Sequence, residues 1–314
     1  MDITKLGNAL AAAEPVVAVT PEIIPGRAVH IDGDMLCYVA GGNEDTSVAT
    51  SRRIVQNMVE TFREQAQAER SVLQLTASGC LKGYRVLVPT SQPYQAQRKG
   101  SKRPKNWGYL RDWLSSYDGP DFKVKVWDDR EADDGFGYVS ASRPNDVVCT
   151  NDKDMRMLPG WHLDWVTKEL FKVPDDCYEM EQGGKLYGYK WFLQQMLQGD
   201  TADHIRGLGK CAAAPRGCGE ATARKMLAGT TCKAEGIEAV VGFYKGAFDD
   251  KWANEFAEQA MLLWIRRGKS ALLDEFMAFT PMPNEKAGEE LRAAVRAIKL
   301  RVKEQLEQAA ALCR

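Results

Sequence analysis

The sequence predicts an α/β protein: a mostly parallel central sheet flanked by helices, followed by a helical C-terminal part. Two observations carry this. Residues 28–31 (AVHI) and 71–78 (SVLQLTAS) are apolar runs of strand length, and the 46–70 stretch between them has helical spacing. That succession begins a βαβ unit, and strands joined through a helix lie parallel. Second, the acidic residues fall in short clusters at or just past the ends of apolar runs. Asp32 and Asp34 (IDGD) follow AVHI, Glu131, Asp133 and Asp134 (EADD) follow FKVKVW, and Asp152 and Asp154 (NDKD) follow DVVCT. Parallel strands of an open sheet deliver their C-terminal ends to one edge, where ligands bind, so distant carboxylates can converge there.

Residues 1–26 carry little pattern and read as a lead that packs loosely or is disordered. The 46–70 helix places Ile54, Met58 and Phe62 on one stripe. Residues 80–116 form a connection too long for a plain turn, of the kind that is functional or mobile. Its second half, NWGYLRDWL, is predicted helical, with Trp107, Leu110, Trp113 and Leu114 on neighbouring faces. FKVKVW, a helix near 132–142 opened by EADD, DVVCT and a short WHLDWV strand complete the sheet. A helix over 186–198 leads to GDTAD, where Asp200 and Asp203 share one face if helical. Residues 234–314 are helical by periodicity, with Trp252, Phe256, Met261 and Trp264 as core candidates and FMAFTPMP as a strand-like interruption. The last helix, 285–312, carries a Leu291, Val295, Ile298, Val302 and Leu306 stripe that reads as packing surface.

The clusters point to chemistry. Two like charges about 4 Å apart cost roughly 4 kcal/mol at an effective dielectric near 20, so gathered carboxylates call for cations. An oxygen-only donor set favours a hard ion, Mg²⁺ or Mn²⁺. Strand-end or helix-cap acids explain any one cluster, but four in this arrangement favour a shared site. Net charge is −1, which by itself argues against a nucleic-acid protein, but the distribution reverses that. Between Arg70 and Arg111 there is no Asp or Glu, while Lys82, Arg85, Arg98, Lys99, Lys102, Arg103 and Lys105 all occur. A basic arm beside an acidic pocket suits a phosphodiester substrate.

Residues 205–227 carry Gly207, Gly209, Gly217 and Gly219 ahead of a helix, with Arg206, Lys210, Arg216, Arg224 and Lys225 adding charge. Glycine lets backbone approach phosphate, and a helix start offers free N–H groups. The eight cysteines are single, with no C-x-x-C pair. They indicate reduced thiols, and Cys211, Cys218 and Cys232 make only a weak zinc candidate. His30, His162 and His204 form no evident triad. No run approaches a membrane span, so a soluble, cytoplasmic protein with no membrane partner is expected.

IDGD, Y-x-A-x-R (YQAQR, 94–98), EADD, T-x-D-x-D (150–154) and GD-x-x-D-x-I-x-G (199–207) occur in the order found in phage 5′→3′ exonucleases of the flap endonuclease (5′-nuclease, PIN-like) superfamily, and the chain resembles that family over residues 28–230. The resemblance implies a PIN-like α/β nuclease domain (27–198) with a helical arch over about 79–117. A helical C-terminal domain (199–314) would follow, with a helix–turn–helix-like duplex-binding hairpin at 205–227. It implies a metal-dependent 5′→3′ exonuclease on duplex DNA ends, with flap endonuclease or RNA-primer-removing activity as extensions, serving phage DNA replication or host DNA degradation. Asp32, Glu131, Asp133 and Asp134 would hold one ion, and Asp152, Asp154, Asp200 and Asp203 a second. Arg98 would join the catalytic set. Tyr94, Gln95, Arg98, Lys99, Lys102, Arg103 and Lys105 of the arch would contact DNA. So would Gly207, Lys210, Arg216, Gly217, Gly219 and Lys225 of the hairpin, with K⁺ as a candidate ion there. The stretch LGKCAAAPR looks inserted relative to the shorter family hairpin.

Two departures stand out. Thr76-Ala77-Ser78 lacks the Asp that many relatives carry after the second strand, and Gln95 replaces a Lys after the arch tyrosine. Lys82, Arg98 or Lys99 are candidates to replace that ammonium. A branched-DNA binding protein with attenuated cleavage is the alternative from another class. An RNA-directed PIN nuclease is a third, against which the glycine hairpin speaks.

Overall fold

The computed structural model describes residues 22–89, 92–98 and 100–312. Most of the 1–26 lead, and Lys99, lie outside the described residues. The fold begins earlier than expected, because strand β1 spans Ile24–Asp32. Helices α1 (Gly33–Ala40) and α2 (Val48–Gln65) lead to β2 (Ala68–Thr76). The 80–116 connection contains two short 3₁₀ turns, Lys82–Leu87 and Ala96–Arg98, and helix α3 (Trp107–Ser115). Next come β3 (Lys123–Trp127), α4 (Ala132–Ser142), β4 (Val147–Thr150), β5 (Gly160–Asp164) and β6 (Leu170–Val173).

Among the described residues these strands form a six-stranded sheet in the order β3-β2-β1-β4-β5-β6. All neighbours pair in parallel except β5 and β6. The chain runs outward from β1 to β3, then returns across β1 to β4. The order therefore reverses between β1 and β4, and at such a reversal a crevice opens beyond the strand ends. The register sets Ile31 beside both Leu73 and Cys149, so the central strand has neighbours on either side. A parallel sheet covered on both faces takes continuous apolar strands, and β1 is buried from Arg27 through Asp32.

The sheet's faces feed two cores. Alternate side chains point to opposite faces. Val147 and Cys149 join Val29, Ile31, Leu73 and Phe62 under α2 and α3. Val148 joins Phe136, Phe192, Phe256, Trp264 and Leu291 in a second core that continues into the C-terminal helices. Those helices are α5 (Tyr189–Gln198), α6 (Glu220–Met226), α7 (Lys233–Phe248), α8 (Trp252–Leu263) and α9 (Glu285–Leu312). Trp252, Phe256, Met261 and Trp264 are buried as expected, and so are Leu291, Val295, Ile298 and Val302 of α9.

Several expectations change. The fully buried line of α2 is Ser51, Val55, Val59 and Phe62, with Ile54 and Met58 at its margin. Ser51 is drawn inward because its hydroxyl accepts from the Asn106 amide at 3.0 Å. FMAFTPMP holds a 3₁₀ turn, Glu275–Phe279, not a strand, and Phe276 enters the core there. Leu186 and Tyr187 belong to strand β8 (Lys185–Tyr187), which pairs with β7 (Met180–Gln182), so α5 starts later than the 186–198 helix expected. Gly183 and Gly184 close that hairpin at φ 56° and 71°, backbone that glycine adopts freely. No helix of the described residues is long and apolar enough to cross a membrane.

Candidate metal centre

At the β1/β4 reversal the strand ends deliver their acids. Asp32 ends β1 and caps α1, its carboxylate accepting from Met35 N at 2.8 Å and from the Thr150 hydroxyl at 2.8 Å. That second bond ties the ends of β1 and β4 together. Beyond Thr150, Asp152 accepts from the Asp154 N–H at 2.9 Å, opening a 3₁₀ turn over Lys153–Met157. Glu131 is the N-cap residue of α4 and Asp133 lies in its first turn.

Asp200 and Asp203 reach the same place by a different route from the helix expected. Asp200 and Ile205 exchange backbone hydrogen bonds at 2.8 and 2.7 Å, closing a tight loop. Gly199 and Gly207 make this closure possible. Both have positive φ, and a Cβ on either would collide with the backbone of the other. Gly207 thus has a packing requirement of its own. Carboxylate oxygens of Asp154, Asp200 and Asp203 all lie within 4.8 Å of one another.

The electrostatics record the crowding. Burial, reinforced by Asp152, pushes the Asp32 carboxyl up to about 6, against the bonds from Met35 and Thr150. Asp133 is pushed well above the usual carboxylate range by burial and then by Asp152, Glu131, Asp32 and Asp154. Asp154 and Asp152 are raised as well, by burial first and by neighbouring acids that include Asp200 and Asp203. These repulsions cross from β1 to α4, to the turn after β4 and to the 199–205 loop. Among the described residues no donor reaches the Asp133 carboxylate. A half-buried, undonated carboxylate within an oxygen-only set fits a hard divalent cation.

Asp134, expected as a ligand, is turned away. It is 0 % exposed and paired with Arg85 and Arg266, which are 1 % and 4 % exposed. Arg85 donates to both its oxygens at 2.8 and 2.9 Å, and Arg266 adds its backbone N–H and Nε, each at 3.0 Å. Burial alone would raise this carboxyl, but the two guanidiniums outweigh it and hold it at about 2. Arg85 also leaves the basic arm. It is buried in the Lys82–Leu87 turn, where it meets Glu131 at 3.2 Å.

Other residues of the 80–116 connection lie against the acids. The buried Tyr94 hydroxyl lies 3.1 Å from Glu131 and 2.9 Å from Asp203. Gln95 Nε2 donates to Asp203 at 2.9 Å, and its Oε1 accepts from Lys82. Lys82 Nζ stands 3.4 Å from Glu131, and Arg98 pairs with Asp203. Ammonium and guanidinium groups therefore flank Gln95. Farther along, the Arg103 guanidinium lies over the Trp107 ring at 3.9 Å, Lys105 donates to the Glu44 carbonyl, and Lys102 is exposed. In residues 205–227, Lys210, Arg216 and Lys225 are exposed, Gly217 has open space around it, and Cys211 and Ala214 form an isolated bridge. Among the described residues no cysteine belongs to a group of three candidate metal ligands. Ala77 donates its N–H to the Trp127 carbonyl at 2.7 Å, at the C-terminal end of β2.

Two residues of the centre went unnoticed in the sequence. Lys153 Nζ contacts Asp154 Oδ1 at 3.2 Å and Asp200 Oδ2. Gln195, buried in α5, donates to Asp154. Lys153 lies inside the NDKD motif, so its position was itself the available signal.

No protein-family model and no curated protein matches the chain. Solved structures do. A phage T5 protein co-crystallised with metal ions is 14% identical at a TM-score of 0.49, covering 90% of this chain and 98% of that one. A bacteriophage T5 flap endonuclease, in a pseudo-enzyme–product complex with DNA and metal ions, is 13% identical at 0.47, covering 85% and 99%. A mutant T5 5′-exonuclease is 12% identical at 0.45, covering 88% and 99%.

Proposed function

We propose that the chain is a metal-dependent 5′→3′ exonuclease that hydrolyses phosphodiester bonds at the 5′ ends of duplex DNA, with flap endonuclease activity. The observation that carries this reading is the convergence of Asp32, Glu131, Asp133, Asp152, Asp154, Asp200 and Asp203 on one sheet edge under a basic connection. The ordered motifs of the sequence support it. Division into a 27–198 nuclease part and a 199–314 helical part belongs to the same reading.

Asp32, Glu131 and Asp133 would hold one divalent ion, Mg²⁺ or Mn²⁺, and Asp154, Asp200 and Asp203 another, with Asp152 between them. Such ions, when bound, supply an activated water and charge neutralisation at the leaving oxygen. Arg98 and Lys82 orient the scissile phosphate, with Lys82 standing in for the lysine that Gln95 replaces. Tyr94 and Gln95 hold Glu131 and Asp203 in position. The exposed Lys210, Arg216 and Lys225 line the duplex beyond the cleavage point. A branched-DNA binding protein with attenuated cleavage is the second reading, favoured by the uncharged Ala77 and Gln95.

Release of nucleotides from a 5′-labelled duplex, with matched flap and RNA–DNA substrates and Mg²⁺ or EDTA, separates the two. Mg²⁺-dependent release that Asp133→Asn abolishes is the expected result. DNA binding with no release at any Mg²⁺ concentration favours the second reading.

A further inference from the structure

Asp154, Asp200 and Asp203 already have cations of their own. Lys153 Nζ bridges Asp154 Oδ1, at 3.2 Å, and Asp200 Oδ2, while Arg98 pairs with Asp203. Three carboxylates and two basic groups leave a net charge of −1, the same as three carboxylates around one divalent ion. The two side chains therefore already supply the positive charge that an ion would bring, and an ion competes with Lys153 for the oxygens it holds. The two cations differ in tether. Arg98 belongs to the arch connection. Lys153 sits within the motif that supplies Asp154, in a turn anchored by the Asp152 bond to the Asp154 N–H and by Gln195 on Asp154. Its backbone stays where the ligands are, and only its side chain, 35 % exposed, has a way out to solvent.

We propose that Lys153 is a built-in counter-cation of this cluster, which holds Asp154 and Asp200 together without a divalent ion and must swing out for an ion to enter. The cluster thereby binds its ion more weakly than the same carboxylates would without that ammonium. The inference rests on the metal-dependent reading only in requiring that the cluster binds a divalent ion.

The test is a Mn²⁺ titration by calorimetry on the full chain without DNA, with melting temperatures in EDTA and in Mn²⁺. Lys153→Met keeps the side-chain length and removes the charge. The expected result is Mn²⁺ binding at one site tightened at least tenfold, with a lower melting temperature in EDTA that Mn²⁺ restores. Lys153→Arg keeps the charge and should titrate like the parent, and Lys153→Gln gives the same comparison if the methionine variant does not fold. Unchanged or weaker Mn²⁺ binding in the neutral variants overturns the proposal, as does equal tightening in Lys153→Arg. If the parent itself binds no Mn²⁺, the metal-dependent reading falls and takes this inference with it. A parent that binds beside unresponsive variants sinks this inference alone.

Discussion

Replacing Asp134 by asparagine keeps the shape of the side chain and removes the charge that two buried guanidiniums share. Arg85 and Arg266, 1 % and 4 % exposed, then face a neutral amide that cannot accept from both. The cost follows by two routes. A carboxyl held at about 2 instead of 3.8 stabilises the fold by about 2–3 kcal/mol once ionised, because each tenfold change in proton affinity is worth roughly 1.4 kcal/mol. Breaking a buried pair from one side costs about 3–5 kcal/mol, because the remaining charge is left uncompensated. Arg85 retains Glu131 at 3.2 Å, which favours the lower figure. Against a total stability of roughly 5–15 kcal/mol, either value is large. Asp133→Asn, one residue away, should do the opposite. With repelling neighbours and no donor, its neutralisation should leave stability unchanged or raised while weakening divalent-ion binding. Urea denaturation in EDTA and Mn²⁺ calorimetry on both variants measure the contrast. An Asp134→Asn protein within about 1 kcal/mol of the parent, the size of an ordinary substitution, but deficient in Mn²⁺ binding, would refute the assignment of Asp134 to structure.

The pH dependence of metal stabilisation gives another test. Asp32 is raised from 3.8 to about 6, so its contribution to stability is present below pH 3.8 and lost as pH rises through 6, with Asp133, Asp152 and Asp154 shifted the same way. His162, lowered by burial to about 4, pulls the other way between pH 4 and 6.5, but equally with and without ions. The increment in melting temperature on adding Mn²⁺ should therefore be small at about pH 5 and large at about pH 7.5, and a pH-independent increment would contradict it. For the arm, Lys102→Ala, Arg103→Ala and Lys105→Ala together should lower the slope of log affinity against log salt by up to about 0.9 per lost phosphate contact. An identical slope removes these residues from the DNA surface.

The sheet was legible because its strands are buried apolar runs, and the convergence of Asp32, Asp133 and Asp152 followed from where those runs end. What stayed hidden depended on partners distant in sequence. EADD begins a helix, where adjacent residues point about 100° apart, so Asp133 and Asp134 cannot both face one pocket. Which of them turns away is decided by Arg266, 132 residues later. Arg85 read as part of a basic arm because nothing local marks it as buried. Lys153 went unread between two acids, although its short tether to Asp154 keeps it in the centre. Asp200 and Asp203 suggested a helix by spacing, while Gly199 and Gly207, both in the motif, pointed to the backbone bridge that forms.

The Arg85–Asp134–Arg266 cluster also bears on modularity. Residues 264–268 follow α8 in the helical part, yet they serve the sheet. Arg266 meets Asp134, the Trp264 carbonyl accepts from Arg85 at 2.8 Å, and the Gly268 carbonyl accepts from Arg130 at 3.3 Å. A chain severed at 198 would retain Asp32, Glu131, Asp133, Asp152 and Asp154 but lose this strap along with Asp200 and Asp203, leaving Glu131 beside an arginine that has lost its backbone acceptor. The sheet half cannot be transplanted as a cassette. A chimera that exchanges the helical half has to bring a matching arginine and carbonyl pair to the Lys82–Leu87 turn.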